Sequence, residues 1–193
     1  YPDSRYSGVQ VFCGNSEGSE ALAKQASRLI HVSNYYYIEN RGELARDLSE
    51  LLNETVPQDQ REPWQTFFAN SGAEANECAI KLARKYSFDK YGKGRHTIVT
   101  LVNSFHGRTL ATLSATGQDV FHNYFFPFPE GFVYAEANDI DDLLKKMHNN
   151  VCAVMLEYIQ GEGGVVPLDS KYVDQLYDFC AKRDILVIAD EVQ

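Results

Sequence analysis

A three-layer α/β/α fold on a largely parallel sheet is predicted by three observations. From residue 43 onward, segments with helical apolar spacing alternate with short apolar strands; the most apolar runs, such as Ile185 to Ala189, are strand-sized; and no repeat, low-complexity tract or charge block divides the chain. At 193 residues, 44% apolar and 23% charged, the chain is long enough to bury a core without disulfide or metal staples. Strands alternating with helices imply a sheet covered on both faces, and in such sheets ligands collect at the carboxyl ends of strands.

The elements follow in order. Glu43 to Asn53 places Leu44, Leu48, Leu51 and Leu52 at helical spacing, and the stretch from Pro57 to Pro63 stops it. Trp64 to Asn70 is expected to be a short strand ending at Ser71-Gly72. Glu74 to Tyr91 sets Ala75, Cys78, Ala79, Leu82, Ala83 and Tyr86 on one face of a long helix closed by Gly92. A strand at Thr97 to Asn103 and a helix near Thr109 to Thr116 come next. The aromatic segment from Phe121 to Pro129 is too rich in Pro to be regular. Phe132 to Tyr134 reads as a strand, Asp139 to Asn149 as a helix with Asp at its start, and Val151 to Tyr158 as a buried strand. Lys171 to Arg183, with Tyr172, Val173, Leu176, Phe179 and Cys180 inward, is the last helix, and Asp184 to Asp190 the last strand.

The charge balance narrows the partners. With 18 Lys+Arg against 27 Asp+Glu the net charge is -9, which argues against nucleic acid or an anionic membrane surface as partner. No apolar run approaches the ~20 residues of a membrane span. Residues 1 to 12 lack the basic and apolar regions of a signal peptide, and the opening Tyr1 predicts a piece of a longer chain. Cys13, Cys78, Cys152 and Cys180 show no metal spacing and read as thiols of a reducing, cytoplasmic compartment. No metal site is expected.

Four strand ends hold candidate chemistry. Ser71-Gly72-Ala73-Glu74 turns straight into a helix, whose free N–H groups and dipole suit a phosphate; Ser71 and Glu74 equally read as a plain capping box. Ser104-Phe105-His106-Gly107-Arg108 places an aromatic ring able to cover a planar ligand beside an Arg able to clamp a carboxylate, whereas a core Phe105, a locally bonded His106 and a surface Arg108 are the bland alternative. Glu157 to Gly164 puts two acids and an amide in a Gly-rich turn. Asp190 ends a strand buried on both faces, where a lone carboxylate is costly and calls for a cationic partner. A ligand with a phosphate, a flat ring and a cationic ring nitrogen, as in pyridoxal phosphate, would engage these ends together.

With those residues in view, the blocks FFANSGAEANECAIKLARKY, IVTLVNSFHGRTLATLSATGQ, AVMLEYIQGEGGV and ILVIADEVQ, in this order over residues 67 to 193, resemble the class III, fold-type I pyridoxal-phosphate aminotransferases, most closely their acetylornithine branch. HVSNYYY at 31 to 37 resembles the family segment leading into the large domain, while Val9 to Gly18 fits poorly. The resemblance implies an incomplete cofactor-binding large domain over 38–193, preceded over 1–37 by the small-domain arm. It implies that Ser71, Gly72 and Ala73 bind the phosphate, Phe105 stacks on the ring with His106 beside it, Asp190 pairs with the ring nitrogen, Val192 packs on the opposite face, and Gln193 reaches the phenolic oxygen. Glu157 would support that network. Arg108 would hold a substrate carboxylate, Glu162 would act as the family's gate acid, and Tyr37 would line the substrate pocket.

Two departures stand out. Tyr158 occupies a position where the family usually has Pro. The family's catalytic lysine is expected beyond Gln193, and none of the nine lysines present has a comparable setting, so no catalytic residue is assigned within the chain. The implied activity of the whole protein is transfer of an amino group from N-acetylornithine, or a related ω-amino donor, to 2-oxoglutarate in arginine biosynthesis, by a homodimer; the 193 residues alone are expected to be inactive. The alternatives are another class III aminotransferase (ornithine, succinylornithine or 4-aminobutyrate) or a truncated cofactor-binding chain without turnover. A nucleotide-binding oxidoreductase is disfavoured because no G-x-G-x-x-G follows a strand.

Overall fold

The computed structural model describes residues 15–33 and 35–192. They fall into two compact units that divide between Phe68 and Ala69.

The first unit is mostly surface. Helix α1 (Ser16–Arg28) is capped by Asn15, whose side chain accepts from Gly18 N at 2.9 Å, and buries no residue. Nothing in the sequence reading anticipated it. Helix α2 (Arg41–Leu52) follows as expected, although Leu44, Leu51 and Leu52 are exposed. Asn53 is the buried anchor of this unit: its amide donates to Ser49 O and Glu62 O and accepts from Glu62 N, fixing the turn that contains the short 3-10 segment Gln58–Gln60. Trp64 to Asn70 is not a strand. Its backbone makes no ladder, and Trp64 and Phe67 are exposed, because an aromatic run becomes a strand only where a sheet edge receives it.

The second unit is the sheet. Helix α3 (Gly72–Tyr91) leads to strand β1 (Thr97–Leu101), helix α4 (Leu110–Ala115), strand β2 (Phe132–Ala135), helix α5 (Ile140–Lys146), strand β3 (Val151–Leu156), the small hairpin β4 (Ile159–Gln160) with β5 (Val166–Pro167), helix α6 (Ser170–Arg183) and strand β6 (Leu186–Ala189). The main sheet runs β2-β1-β3-β6, every pair parallel, with Val99 opposite Val133 and Val154 opposite Val187.

The two-residue period of the strands builds the three layers. Val99, Leu101, Val154 and Leu156 point to one face, where they pack with Leu143 of α5 and Tyr172, Leu176 and Cys180 of α6. Ile98, Ala153 and Met155 point to the other, against Ile80 and Ala83 of α3 and Ala115 at the end of α4. Strands β1 and β3 are buried along their whole length. The buried face of α3 is rotated from the expected one: Asn76, Ile80, Ala83 and Ser87 face inward, and Leu82 stays 65% exposed. Two of these inward residues are polar, and the first stands beside the candidate site.

Candidate active site

The site grows from α3's first turn. Ser71 Oγ accepts from Glu74 N at 3.2 Å and so caps the helix, whereas the Glu74 carboxylate accepts from Asn70 N at 2.7 Å, one residue before the cap, and the expected capping box is not closed. The N–H groups of Gly72 and Ala73 open the helix and have no partner within it. A side chain on Gly72 would meet Val192 at 2.8 Å, which shows how closely the segment after β6 lies over this helix start.

The turn after β1 is held from several sides. Phe105 N donates to Glu157 Oε1 at 2.8 Å, His106 N donates to Thr116 Oγ1 at 3.0 Å, and Ser104 Oγ accepts from Gly117 N at 3.0 Å. Gly107 has φ +129, and a Cβ there would lie 2.7 Å from Thr112 Oγ1 and 2.8 Å from Ala73 Cβ, so only glycine lets this turn sit against the start of α3. Thr109 caps α4 in a reciprocal box with Thr112 and donates to Glu77 Oε1 of α3. Phe105 is half-buried with its ring edge-on to Phe121 at 5.7 Å, and the exposed Arg108 guanidinium lies 4.8 Å over Phe121 and 5.8 Å over Phe105.

Asp190, one residue past β6, is the centre of the arrangement. Its N–H joins Leu156 O at 2.8 Å, extending the parallel ladder by one bond. Its Oδ2 accepts from Asn76 Nδ2 at 2.8 Å and pairs with His106 Nδ1 at 2.9 Å, while among the described residues Oδ1 meets only Val192 N at 3.3 Å. Burial pulls this carboxyl up, but the hydrogen bonds from His106 and Asn76 overcome it and hold it below the ordinary value. Among the described residues its side-chain partners are an imidazole and a neutral amide, so the expected cation is not supplied by a lysine or arginine. Glu157, by contrast, is pushed up by burial, against the opposing N–H groups of Phe105 and Gly161, the latter at 3.2 Å.

Hydrogen bonds and packing thus join Gly72, Ala73, Phe105, His106, Glu157, Asp190 and Val192 into one connected cluster at the carboxyl end of the sheet. Arg108 borders it through Phe105. Glu162 is exposed in the turn between β4 and β5. Tyr37 belongs to the first unit and is fully exposed. Gln193 lies outside the described residues, as does Cys13. The sequence reading missed Asn76, which it placed on neither face; it noted the amide of the Gly-rich turn, Gln160, without a partner, and that buried amide donates to Val102 O at 2.9 Å and ties the β4 hairpin to the end of β1. The only available signal was a lone amide within each motif.

A parallel α/β/α sheet whose strand ends gather a helix start, an aromatic turn and a buried carboxylate is the architecture of a class-III aminotransferase. The sequence model of that family, Aminotransferase class-III, matches residues 10–193, and the chain belongs to the family. An acetylornithine aminotransferase of Haemophilus ducreyi is 50% identical over 175 residues, which make up 90% of this chain and 42% of that protein. An N-acetylornithine aminotransferase of Stenotrophomonas maltophilia superposes with a TM-score of 0.70 at 32% identity, over 91% of this chain and 41% of its own. The ornithine aminotransferase of Toxoplasma gondii, whose structure has partial occupancy of PLP at its active site, superposes with a TM-score of 0.79 at 28% identity, over 89% of this chain and 39% of its own. The chain therefore spans less than half the length of the curated relatives it matches.

Proposed function

We propose that the whole protein is a pyridoxal-phosphate-dependent acetylornithine aminotransferase that moves an amino group from N-acetylornithine to 2-oxoglutarate, the arginine-biosynthetic reaction. The observation that carries this reading is Asp190: a buried carboxylate held below the ordinary value, with one oxygen in only a long 3.3 Å bond from Val192 N among the described residues, braced by a residue of the helix that begins at Gly72 and Ala73.

The residues present suit that cofactor. Gly72 and Ala73 offer two free helix N–H groups to a phosphate, with the Ser71 hydroxyl beside them, and an added Cβ at Gly72 would close the space Val192 now borders. Phe105 would cover one ring face and Val192 the other, His106 would brace Asp190, and Gln193 would reach the phenolic oxygen. Asp190 Oδ1 would accept a hydrogen bond from the protonated ring nitrogen and so keep that proton on the ring. Glu157 would hold the Phe105 turn against the β4 hairpin. The bound cofactor supplies an electron sink for bond breaking at the amine-bearing carbon. Arg108, freed from Phe121, would bind a substrate carboxylate bidentately, Glu162 would act as the gate acid, and Tyr37 would line the pocket.

Residues 38–193 are read as part of the cofactor domain and 1–37 as the small-domain arm. A homodimer is proposed on the family likeness. A reducing, cytoplasmic setting is proposed on the free thiols Cys78, Cys152 and Cys180. Among the described residues no helix is long and apolar enough to cross a membrane.

The test is a donor panel on the full-length polypeptide. With 2-oxoglutarate as acceptor, turnover with N-acetylornithine should exceed that with ornithine, N-succinylornithine or 4-aminobutyrate at least tenfold in kcat/KM, a margin of about 1.4 kcal/mol. Uptake of pyridoxal phosphate with a preference for another donor would overturn the substrate assignment, and no uptake would overturn the whole reading.

A further inference from the structure

One of the buried polar side chains at the site is named above only as a brace, with no role toward the cofactor. Asn76 is 6% exposed on the inner face of α3, four residues after Gly72 and so about 6 Å along the helix axis from the unpaired N–H groups. Its Nδ2 spends both hydrogens at short range, one on His106 O at 2.8 Å and one on Asp190 Oδ2 at 2.8 Å. One amide thus ties together the helix that starts the phosphate end, the turn that carries Phe105, and the carboxylate past β6. The latter two segments are 30 and 114 residues distant from Asn76 at their points of contact.

The geometry at the carboxylate follows from sp² directionality. Oδ2 takes both the amide and, at 2.9 Å, His106 Nδ1, which fixes the plane of the group and leaves Oδ1 with the long Val192 N contact alone. Gly107 lets the Phe105 turn close on Ala73, so neither the turn nor the helix start can shift far without breaking an Asn76 bond.

We propose that Asn76 is a positioning residue: it aims Asp190 Oδ1 at the ring nitrogen of the cofactor and sets the span from that oxygen to the N–H groups of Gly72 and Ala73. This rests on the functional reading above. A side chain that only filled space would support folding and leave recognition of the ring nitrogen unchanged. A positioning amide moves that recognition directly.

The test uses the full-length protein, stripped of cofactor and titrated with pyridoxal phosphate, with absorbance following uptake and thermal melting following fold. Asn76→Leu removes both donors and should weaken cofactor affinity by about tenfold to a hundredfold at pH 7.5, in keeping with the loss of a hydrogen bond to a charged group. Asn76→Asp keeps the size but faces Asp190 with a second carboxylate. Relative to the unaltered protein, in which His106 and Glu157 face the same carboxylate, its affinity should be lowest near pH 8 and recover as the pH falls towards 6, because one shared proton restores a bond to Asp190. If Asn76→Leu does not fold, Asn76→Asp decides by its pH profile. Affinities within twofold of wild type and a level pH profile in the folded variants would overturn the proposal while leaving the functional reading intact. Failure of the unaltered protein to take up pyridoxal phosphate would overturn both.

Discussion

Strand β6 runs between two aspartates that look alike on paper and differ in kind. Asp184 precedes it at the amino end of the sheet, and Asp190 follows it at the carboxyl end. Helix α3 reaches both, touching Asp190 through Asn76 near its start and Asp184 through Tyr86, Lys90 and Tyr91 near its finish. Both carboxyls are held below the ordinary value, Asp184 at about 2 by the Tyr91 hydroxyl and the Lys90 ammonium with Tyr86 adding to them. Yet both oxygens of Asp184 are taken, with Tyr86 on Oδ1 at 2.9 Å and Tyr91 and Lys90 on Oδ2 at 2.5 and 2.9 Å, and its side chain remains 35% exposed. Asp190 is 5% exposed and keeps Oδ1 nearly free. A depressed pKa alone therefore does not mark a site. Burial together with an oxygen left over after the protein's own donors are satisfied does.

The sharpest way to break this contrast is to neutralise each acid in the full-length enzyme. Asp190→Asn retains the shape, and its carbonyl still accepts from Asn76 and His106. Transamination should fall about 10³-fold, the scale of losing one organised electrostatic partner in an active site, while stability changes by less than about 1 kcal/mol. Equal losses of activity from changes at Asp184 and Asp190 would erase the distinction drawn here.

Asp184→Asn should do the reverse, leaving kcat/KM within about twofold. The residue sits at φ +52, which Asn tolerates, so the change tests charge and not backbone strain. Loss of the charged bonds should cost about 1.5 kcal/mol at pH 7 once solvent screening of this half-exposed group is allowed for. The pH dependence has a definite sign. Its folded value near 2 lies below the ordinary aspartate value of about 3.9, so the stabilisation is present above that value and is lost as the pH falls towards 2. Urea midpoints of wild type and variant should therefore draw together from about pH 5 downward and meet only as the pH reaches about 2.

These two ends of the molecule also show what a sequence reveals. The sheet was legible because buried strands write their burial locally: VCAVML and ILVIA are continuous apolar runs between helices with a regular period. The cluster joining Asp190, Phe105 and Gly72 was legible because Asp190 and Phe105 follow strand ends and Gly72 opens a helix, where a parallel sheet gathers its loops. Asn76 was not, since a polar residue on a helix reads as solvent-facing and its two partners stand 30 and 114 residues away. The same applies to Ser87, which turns inward to donate to Arg95 O. With both left out of the apolar stripe, the expected face of α3 was rotated by about one residue. Trp64 to Asn70 failed for the complementary reason: β propensity describes a fit to neighbours that the local segment does not contain.

The smallest expected effect separates two roles at Ser71. Its hydroxyl oxygen accepts from Glu74 N, while its own proton is left to donate. Ser71→Ala removes both and should cost about 1 kcal/mol of stability, the usual value of an N-cap, along with about threefold in affinity for pyridoxal phosphate. Ser71→Gly distinguishes the two roles, because glycine preserves most of the capping stability while supplying no hydroxyl. A glycine variant that melts like wild type but still binds the cofactor about threefold more weakly would make the hydroxyl proton part of the phosphate end of the site. A glycine variant matching wild type in both measurements would leave Ser71 a cap alone, and the phosphate would then rest on the N–H groups of Gly72 and Ala73. The carboxyl end of the sheet would in that case hold its ligand by backbone at one extreme and by the single free oxygen of Asp190 at the other, with Asn76 between them.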